Sequence, residues 1–235
     1  MSVRDLYGGT VGLFSDLMSR FGVRTTFVEA TDVDEINSAL RSDTKVLYLE
    51  TPTNPTLKLV DLQRTVELAQ KKGVKVIADN TFASPYNQQP LQFGCSAAIH
   101  SATKYLAGHN DVTAGAVAGA RDLIEPMKKN RRILGGTLDP HGAWLLLRGM
   151  KTLGLRMAKH NSNGQEVAEY LSNHPSVEKV YYPGLRTHPQ HSLARRQMKG
   201  FGGVVSFELK GDLSRTIRFV DNLKLALIGT SLGGT

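Results

Sequence analysis

A single cysteine, Cys95, occurs in the 235 residues, so no intrachain disulfide can form. It lies in an apolar stretch and reads as a buried small hydrophobe rather than a nucleophile. No apolar run approaches the length that crosses a bilayer, and the first residues carry no signal-peptide pattern. A cytoplasmic location is the expectation, with no membrane partner. Neither a Gly-x-Gly-x-x-Gly fingerprint nor a P-loop is present, which leaves a dinucleotide or nucleotide fold with little support. Internal repeats and low-complexity tracts are also missing. Acidic residues are fewer than basic ones, and the formal net charge is +8. That balance suits an anionic partner, such as nucleic acid, an acidic membrane or a phosphorylated cofactor. The basic residues are scattered, however. The densest cluster, Lys128-Lys129-Asn130-Arg131-Arg132, has no interleaved aromatics and follows a predicted helix around 122–127. It reads as a solvated helix end, so no nucleic-acid partner is expected.

What is present is an alternation of short apolar runs and helical patterns. Strands are predicted over 45–50, 74–79, 95–100 and 115–119, with a weaker one over 24–28. Helices are predicted through Leu13, Leu17, Met18 and Phe21, over 32–40, and from Asp61 to about Lys72. The alternation predicts an α/β fold with a largely parallel sheet. Asp139-Pro140 starts a further helix by N-cap and first-turn proline. A long connector helix over 153–173 follows, with Leu155, Ala158, Val167, Ala168 and Leu171 as its apolar face. Beyond it the pattern predicts strands at 177–182, 203–209 and 225–228 and helices near 190–197 and 213–222. Two units are expected, 1–152 and 153–235.

The polar residues fall just past the carboxyl ends of the predicted strands, where ligands sit in open α/β sheets. Glu50, Asn54, Asp79, Thr81, Ser101, Thr103 and Lys104 are all placed there, so one site can collect them. Ser101-Ala102-Thr103-Lys104 taken alone is more often a surface lysine after a buried strand. Its amine can also form an imine with an aldehyde while neighbouring hydroxyls bind a phosphate, as pyridoxal 5′-phosphate (PLP) requires. Asp79 is then the candidate to pair with a pyridine nitrogen, against a turn cap as the plain alternative. Ser101 and Thr103 are candidate phosphate donors, against an ordinary loop. Tyr7 is a candidate to stack on the ring, against core packing.

Tyr7-Gly8-Gly9-Thr10, Glu50-Thr51-Pro52-Thr53-Asn54-Pro55, Asp79-Asn80-Thr81 and Ser101-Ala102-Thr103-Lys104 with Gly108-His109-Asn110-Asp111 carry a resemblance. So do Arg148-Gly149-Met150-Lys151-Thr152-Leu153, Tyr182-Pro183-Gly184-Leu185, His188-Pro189-Gln190-His191 and Gly202-Gly203-Val204-Val205-Ser206-Phe207. The chain resembles the Cys/Met-metabolism family of PLP enzymes, which includes cystathionine γ-synthase, cystathionine γ-lyase and methionine γ-lyase. The resemblance implies the fold type I of PLP-dependent transferases, α/β, with part of a smaller C-terminal α/β domain. It implies γ-elimination or γ-replacement on a sulfur amino acid, and a homo-oligomer, in the family a tetramer. Lys104 would bind the cofactor aldehyde and shuttle protons. Asp79 would pair with the pyridine nitrogen, Ser101 and Thr103 hold the phosphate, and Tyr7 stack on the ring and assist proton transfer. Asn54 would approach the ring hydroxyl, Thr81 support the ring, and Ser231 lie near the substrate carboxylate. The His188/His191 pair matches a segment remote from the site, and no metal is expected.

Two departures stand out against the family pattern. Its N-terminal segment is absent, and so is the arginine expected to clamp the substrate carboxylate, so a truncated chain is expected. Gly9 stands where typical bacterial methionine γ-lyases carry cysteine, and Thr230 where typical cystathionine γ-lyases carry glutamate. The stretches 195–198 and 202–207 look most like γ-synthase members. A transsulfuration γ-synthase or γ-lyase is the expectation. The alternatives are a catalytically inert homologue that serves as an assembly partner, a methionine γ-lyase, and, less favoured, an aminotransferase.

Overall fold

A computed structural model of the chain describes residues 1–234. Thr235, the last position of the expected second unit, lies outside the described residues. The strands are β1 (Ser2–Val3), β2 (Phe27–Val28), β3 (Val46–Glu50), β4 (Lys75–Asp79), β5 (Ala97–Ser101), β6 (Gly115–Gly119), β7 (Val177–Tyr181) and β8 (Ser206–Leu209). The first six form one sheet in the order β2-β1-β3-β4-β5-β6. Its pairs are parallel except β5 with β6. β7 and β8 make a separate antiparallel pair.

The helices are α1 (Gly8–Gly12), α2 (Met18–Arg20), α3 (Val33–Ala39), α4 (Leu62–Lys71) and α5 (Ser84–Asn87). They continue with α6 (Arg121–Leu134), α7 (Pro140–Met150), α8 (Leu153–Ser172), α9 (His191–Gln197) and α10 (Leu213–Asp221). A π-helical stretch, Leu13–Leu17, joins α1 to α2. α4 shows how the sequence builds such an element. The Asp61 carboxylate accepts from the Arg64 N–H at 3.1 Å and caps its start. Leu62, Thr65, Val66 and Ala69 recur at helical spacing and are buried. Gly73 at φ +68° follows its last turn, a conformation glycine adopts without steric cost. Leu62 and Val66 join Leu47, Leu49, Val76 and Ala78 in the main core, each leucine or valine side chain contributing about 1.5–3 kcal/mol.

The two sheets are tied by side chains that reach back from the later part of the chain. Gln197 accepts from the Leu62 N–H at 2.9 Å and donates to Val60 O and Gln88 Oε1. One of the unsatisfied amides at the start of α4 is thus filled from α9. Asn87 and Asn161 exchange a reciprocal pair of bonds at 2.9 and 2.8 Å.

Several expectations are corrected. The basic cluster Lys128–Arg132 lies inside α6, which is solvated along its whole length, rather than following a shorter helix. The buried side of α8 is Arg156, Met157, Gly164 and Ala168. Of the predicted apolar face only Ala168 is buried, and Leu155 is 78% exposed. The periodicity misleads here because a long cationic side chain takes the inward position. Residues 225–228 form no strand, and Leu225 and Leu227 stay exposed with no neighbouring strand to pair. The strands predicted over 24–28 and 203–209 shorten to Phe27–Val28 and Ser206–Leu209.

Candidate active site

The chain leaves β1 toward β2 at one edge and then returns to lay β3 on the other side of β1. The loops leaving β1 and β3 therefore diverge, and such a reversal opens a crevice at the carboxyl ends of the strands. A cavity of about 730 Å³ lies there. It brings together Tyr7, Asn54, Asp79, Thr81, Ser101, Thr103, Lys104 and Ser231, every residue singled out from the sequence.

Register explains the strand-end wall. Glu50 and Asp79 are Cα partners across β3 and β4, so their side chains leave the sheet on the same face. Asp79 is met by three donors. Tyr48 OH donates to Oδ2 at 3.1 Å, and the N–H and hydroxyl of Thr81 donate to Oδ1 at 3.0 and 2.5 Å. Thr81 Oγ1 in turn accepts from the Ser101 N–H at 2.8 Å, which links β4 to β5. Among the described residues the Ser101 hydroxyl makes no hydrogen bond. The Thr103 hydroxyl is engaged differently from a free donor: it accepts from Ala114 N at 2.9 Å and turns its proton to Ala114 O at 3.3 Å.

Lys104 follows β5 in a turn held by backbone bonds, including Lys104 N to Ser101 O and Gly108 N to Lys104 O. Burial lowers the pKa of its ammonium from the ordinary lysine value, which favours the nucleophilic free amine. Its Nζ donates to Ser231 Oγ at 3.0 Å and Thr230 O at 3.4 Å. The turn is braced from α8 by the buried Arg156. Its Nη1 donates to Tyr105 O at 2.7 Å, and its Nη2 donates to Gly149 O at 2.8 Å and Leu106 O at 3.4 Å. Gly108 at φ +73° leaves room for this guanidinium, since a Cβ there would sit 2.0 Å from Nη1.

Tyr7 caps α1 without a side-chain bond and is 61% exposed. Its ring lies over Gly9, where a Cβ would come within 2.5 Å of it. The backbone N–H groups of Tyr7 and Asn54 are both held by Glu50. The Cys95 thiol is buried and pushed up to about 12, away from reactive thiolate chemistry. Outside the cavity, His188 Nδ1 accepts from Gln190 N, and His191 Nδ1 lies 2.9 Å from Pro183 O.

Sequence reasoning gave Tyr48 no part and Glu50 no role. It included Asn110 and Asp111 in a motif without placing them in the site, and it passed over Val112 and Thr113; all four line the cavity. Alternation along β3 was the available signal, since Tyr48 and Glu50 are two residues apart and share a face.

The model of the family described as "Cys/Met metabolism PLP-dependent enzyme" matches residues 1–235. The chain belongs to this family. Among curated relatives, the cystathionine gamma-lyase of Bacillus subtilis (strain 168) is 47% identical over 230 residues, covering 97% of this chain and 60% of its own. The L-methionine gamma-lyase of Fusobacterium nucleatum subsp. polymorphum is 45% identical over 235 residues, with 99% and 60% covered. The crystal structure of metB from Corynebacterium glutamicum superposes with a TM-score of 0.97 at 39% identity, covering 99% of this chain and 61% of that one. The chain thus spans about 60% of the length of these relatives. PLP is the family's cofactor, and the cavity's donor set is of the kind it requires: an amine, a carboxylate and hydroxyls at one sheet edge. Among the described residues no helix is long and apolar enough to cross a membrane.

Proposed function

We propose that this chain carries the cofactor site of a transsulfuration enzyme, acting by γ-elimination or γ-replacement on a sulfur amino acid. The observation that carries the reading is the gathering of Lys104, Asp79, Ser101 and Thr103 around one cavity. Bound PLP supplies an electron sink for negative charge on the substrate α-carbon. Lys104 would hold the cofactor through its amine and would move protons at the substrate carbons. Asp79, fixed by Tyr48 and Thr81, holds the proton on the pyridine nitrogen. The Ser101 hydroxyl binds the phosphate, and Thr103 joins it by rotating its proton away from Ala114 O. Tyr7 covers the ring face and assists proton transfer. Asn54 reaches the ring hydroxyl, Thr81 supports the ring edge, and Asn54 and Ser231 meet the substrate carboxylate.

The same reading divides the chain after Thr152 into a cofactor-binding unit and a smaller unit built on β7 and β8. It places the protein in the cytoplasm as an assembly of identical copies, which the exposed Trp144, Leu147 and Leu155 on α7 and α8 support. The relatives' names include a cystathionine gamma-lyase, L-methionine gamma-lyases, cystathionine gamma-synthases and a cystathionine beta-lyase. Gly9, which stands where typical bacterial methionine γ-lyases of the family carry cysteine, favours the cystathionine side.

Reduction of the PLP-loaded protein with borohydride, followed by peptide mapping, tests the assignment. The label is expected on Lys104, and its recovery on another lysine overturns the reading. Turnover of cystathionine, or of O-acetylhomoserine with cysteine, by the purified chain then separates elimination from replacement. Absence of both reactions from a protein labelled at Lys104 rejects the activity while leaving the cofactor site.

A further inference from the structure

Glu50 is a carboxylate that lines the cavity and has no part in the proposed function. It ends β3 where the order of the sheet reverses, is 6% exposed, and faces Asp79 across the strand pair. Each of its oxygens has a separate donor. Oε2 accepts from the N–H of Tyr7, 43 positions earlier, at 2.9 Å, and Oε1 accepts from the N–H of Asn54 at 3.0 Å. Those two residues sit on the loops that diverge from β1 and β3, so a single side chain spans the mouth of the crevice. No cation compensates it among the described residues. Burial pushes its carboxyl up to about 7, against the pull of the two amides, and Asp79 and Asp5 add repulsion. An apolar residue of similar volume would fill the space without that penalty, but would leave both amides without this acceptor.

We infer that Glu50 is a positioning residue of the site: its carboxylate joins the backbone of Tyr7 to that of Asn54 and so sets where the tyrosine ring and the amide enter the cavity. The inference rests on the roles proposed for Tyr7 and Asn54. Glu50 needs no contact with cofactor or substrate to act in this way. Its reach is set by chain length as well as charge, because the two amides lie on opposite sides of one planar group.

Amide hydrogen exchange on the cofactor-free, full 235-residue chain tests it. Glu50→Gln keeps the shape but offers one accepting oxygen in place of two. Exchange at the Tyr7 or Asn54 amide should rise about tenfold, the cost of one hydrogen bond, while the amides of β4 and β5 stay as in the wild type. Glu50→Asp, charged but one methylene shorter, should not restore both amides. Unchanged exchange at both positions overturns the inference, and so does an equal rise throughout β3, β4 and β5, which would make Glu50 a general stabiliser. If the variants do not fold, the wild-type chain supplies the test. The titratable groups facing Glu50 are Asp79 on β4, Asp5 after β1 and Tyr48 on β3. Uptake of a proton by Glu50 as the pH falls through about 7 turns one oxygen into a hydroxyl, and protection at Tyr7 or Asn54 should drop relative to neighbouring amides. A flat profile overturns the inference. No cofactor enters these measurements, so their failure is separable from a failed borohydride mapping.

Discussion

Thr81 uses both functions of its hydroxyl between Asp79 and Ser101, whereas Ser231, across the same cavity, meets Lys104 through one exposed hydrogen bond. The strand-end wall is cross-linked over β3, β4 and β5, and the register of a parallel sheet places its groups. The opposite wall, Thr230 to Leu232, belongs to a stretch without regular structure and rests on bonds from Lys104 to Thr230 and Ser231. The contrast teaches where each kind of chemistry is safe. Groups proposed to hold a proton at a ring atom sit where backbone pairing locates them. Groups proposed to meet the substrate sit where few bonds must yield.

Asp79→Asn strikes the rigid wall hardest. The amide cannot hold a proton on the pyridine nitrogen, and turnover should fall roughly 10²–10³-fold while PLP still binds. Wild-type turnover in this variant would remove Asp79 from the chemistry. Glu50 also makes the global stability of the fold depend on pH, separately from its local hold on the Tyr7 and Asn54 amides. In the unfolded chain it loses its proton near 4.5, and in the fold near 7, because burial disfavours the charge. Between those values the folded state holds the extra proton. Stability present below pH 4.5 is therefore lost as the pH rises through 7, by roughly 3 kcal/mol from this group. Denaturant unfolding at pH 5 and pH 8, compared with Glu50→Gln, reads the difference; equal slopes in both proteins would place the titration elsewhere.

Thr81→Val removes the bridge between β4 and β5 at nearly constant volume. It leaves the Ser101 N–H without its acceptor, and unfolding should become easier by about 1–3 kcal/mol. The smallest effect belongs to the other wall. Ser231→Ala should leave unfolding within about 0.5 kcal/mol of wild type while raising KM for the amino acid. A loss of stability like that of Thr81→Val would erase the distinction between the walls.

Much of the rigid wall was legible in the sequence. Runs such as 45–50 and 74–79 are apolar, short and bounded by turn residues, and their ends carry the polar side chains the site uses. The neighbours that hold those side chains were harder to read. Tyr48 lies inside a strand and looks like core until the Glu50–Asp79 register places it beside Asp79. β1 is two residues long, too short to leave a period. Arg156 was hidden by its chemistry. A cation on a helix face is expected to point to solvent, and only the carbonyls of Tyr105 and Leu106, 51 and 50 residues earlier, and of Gly149 at the end of α7 make it an inward residue.

The brace from Arg156 also has an order in time. A chain is made from its N-terminus, and strands β3, β4 and β5 can pair as soon as they emerge. The turn that carries Lys104 is made with them, but the guanidinium that holds it arrives 51 residues after Tyr105, with α8. Until that helix docks, the turn has only its own backbone bonds to hold it. The surroundings of Lys104 are thus completed late, by α8 and then by Thr230 and Ser231, and a chain halted before α8 would display the polar wall without the brace behind the lysine.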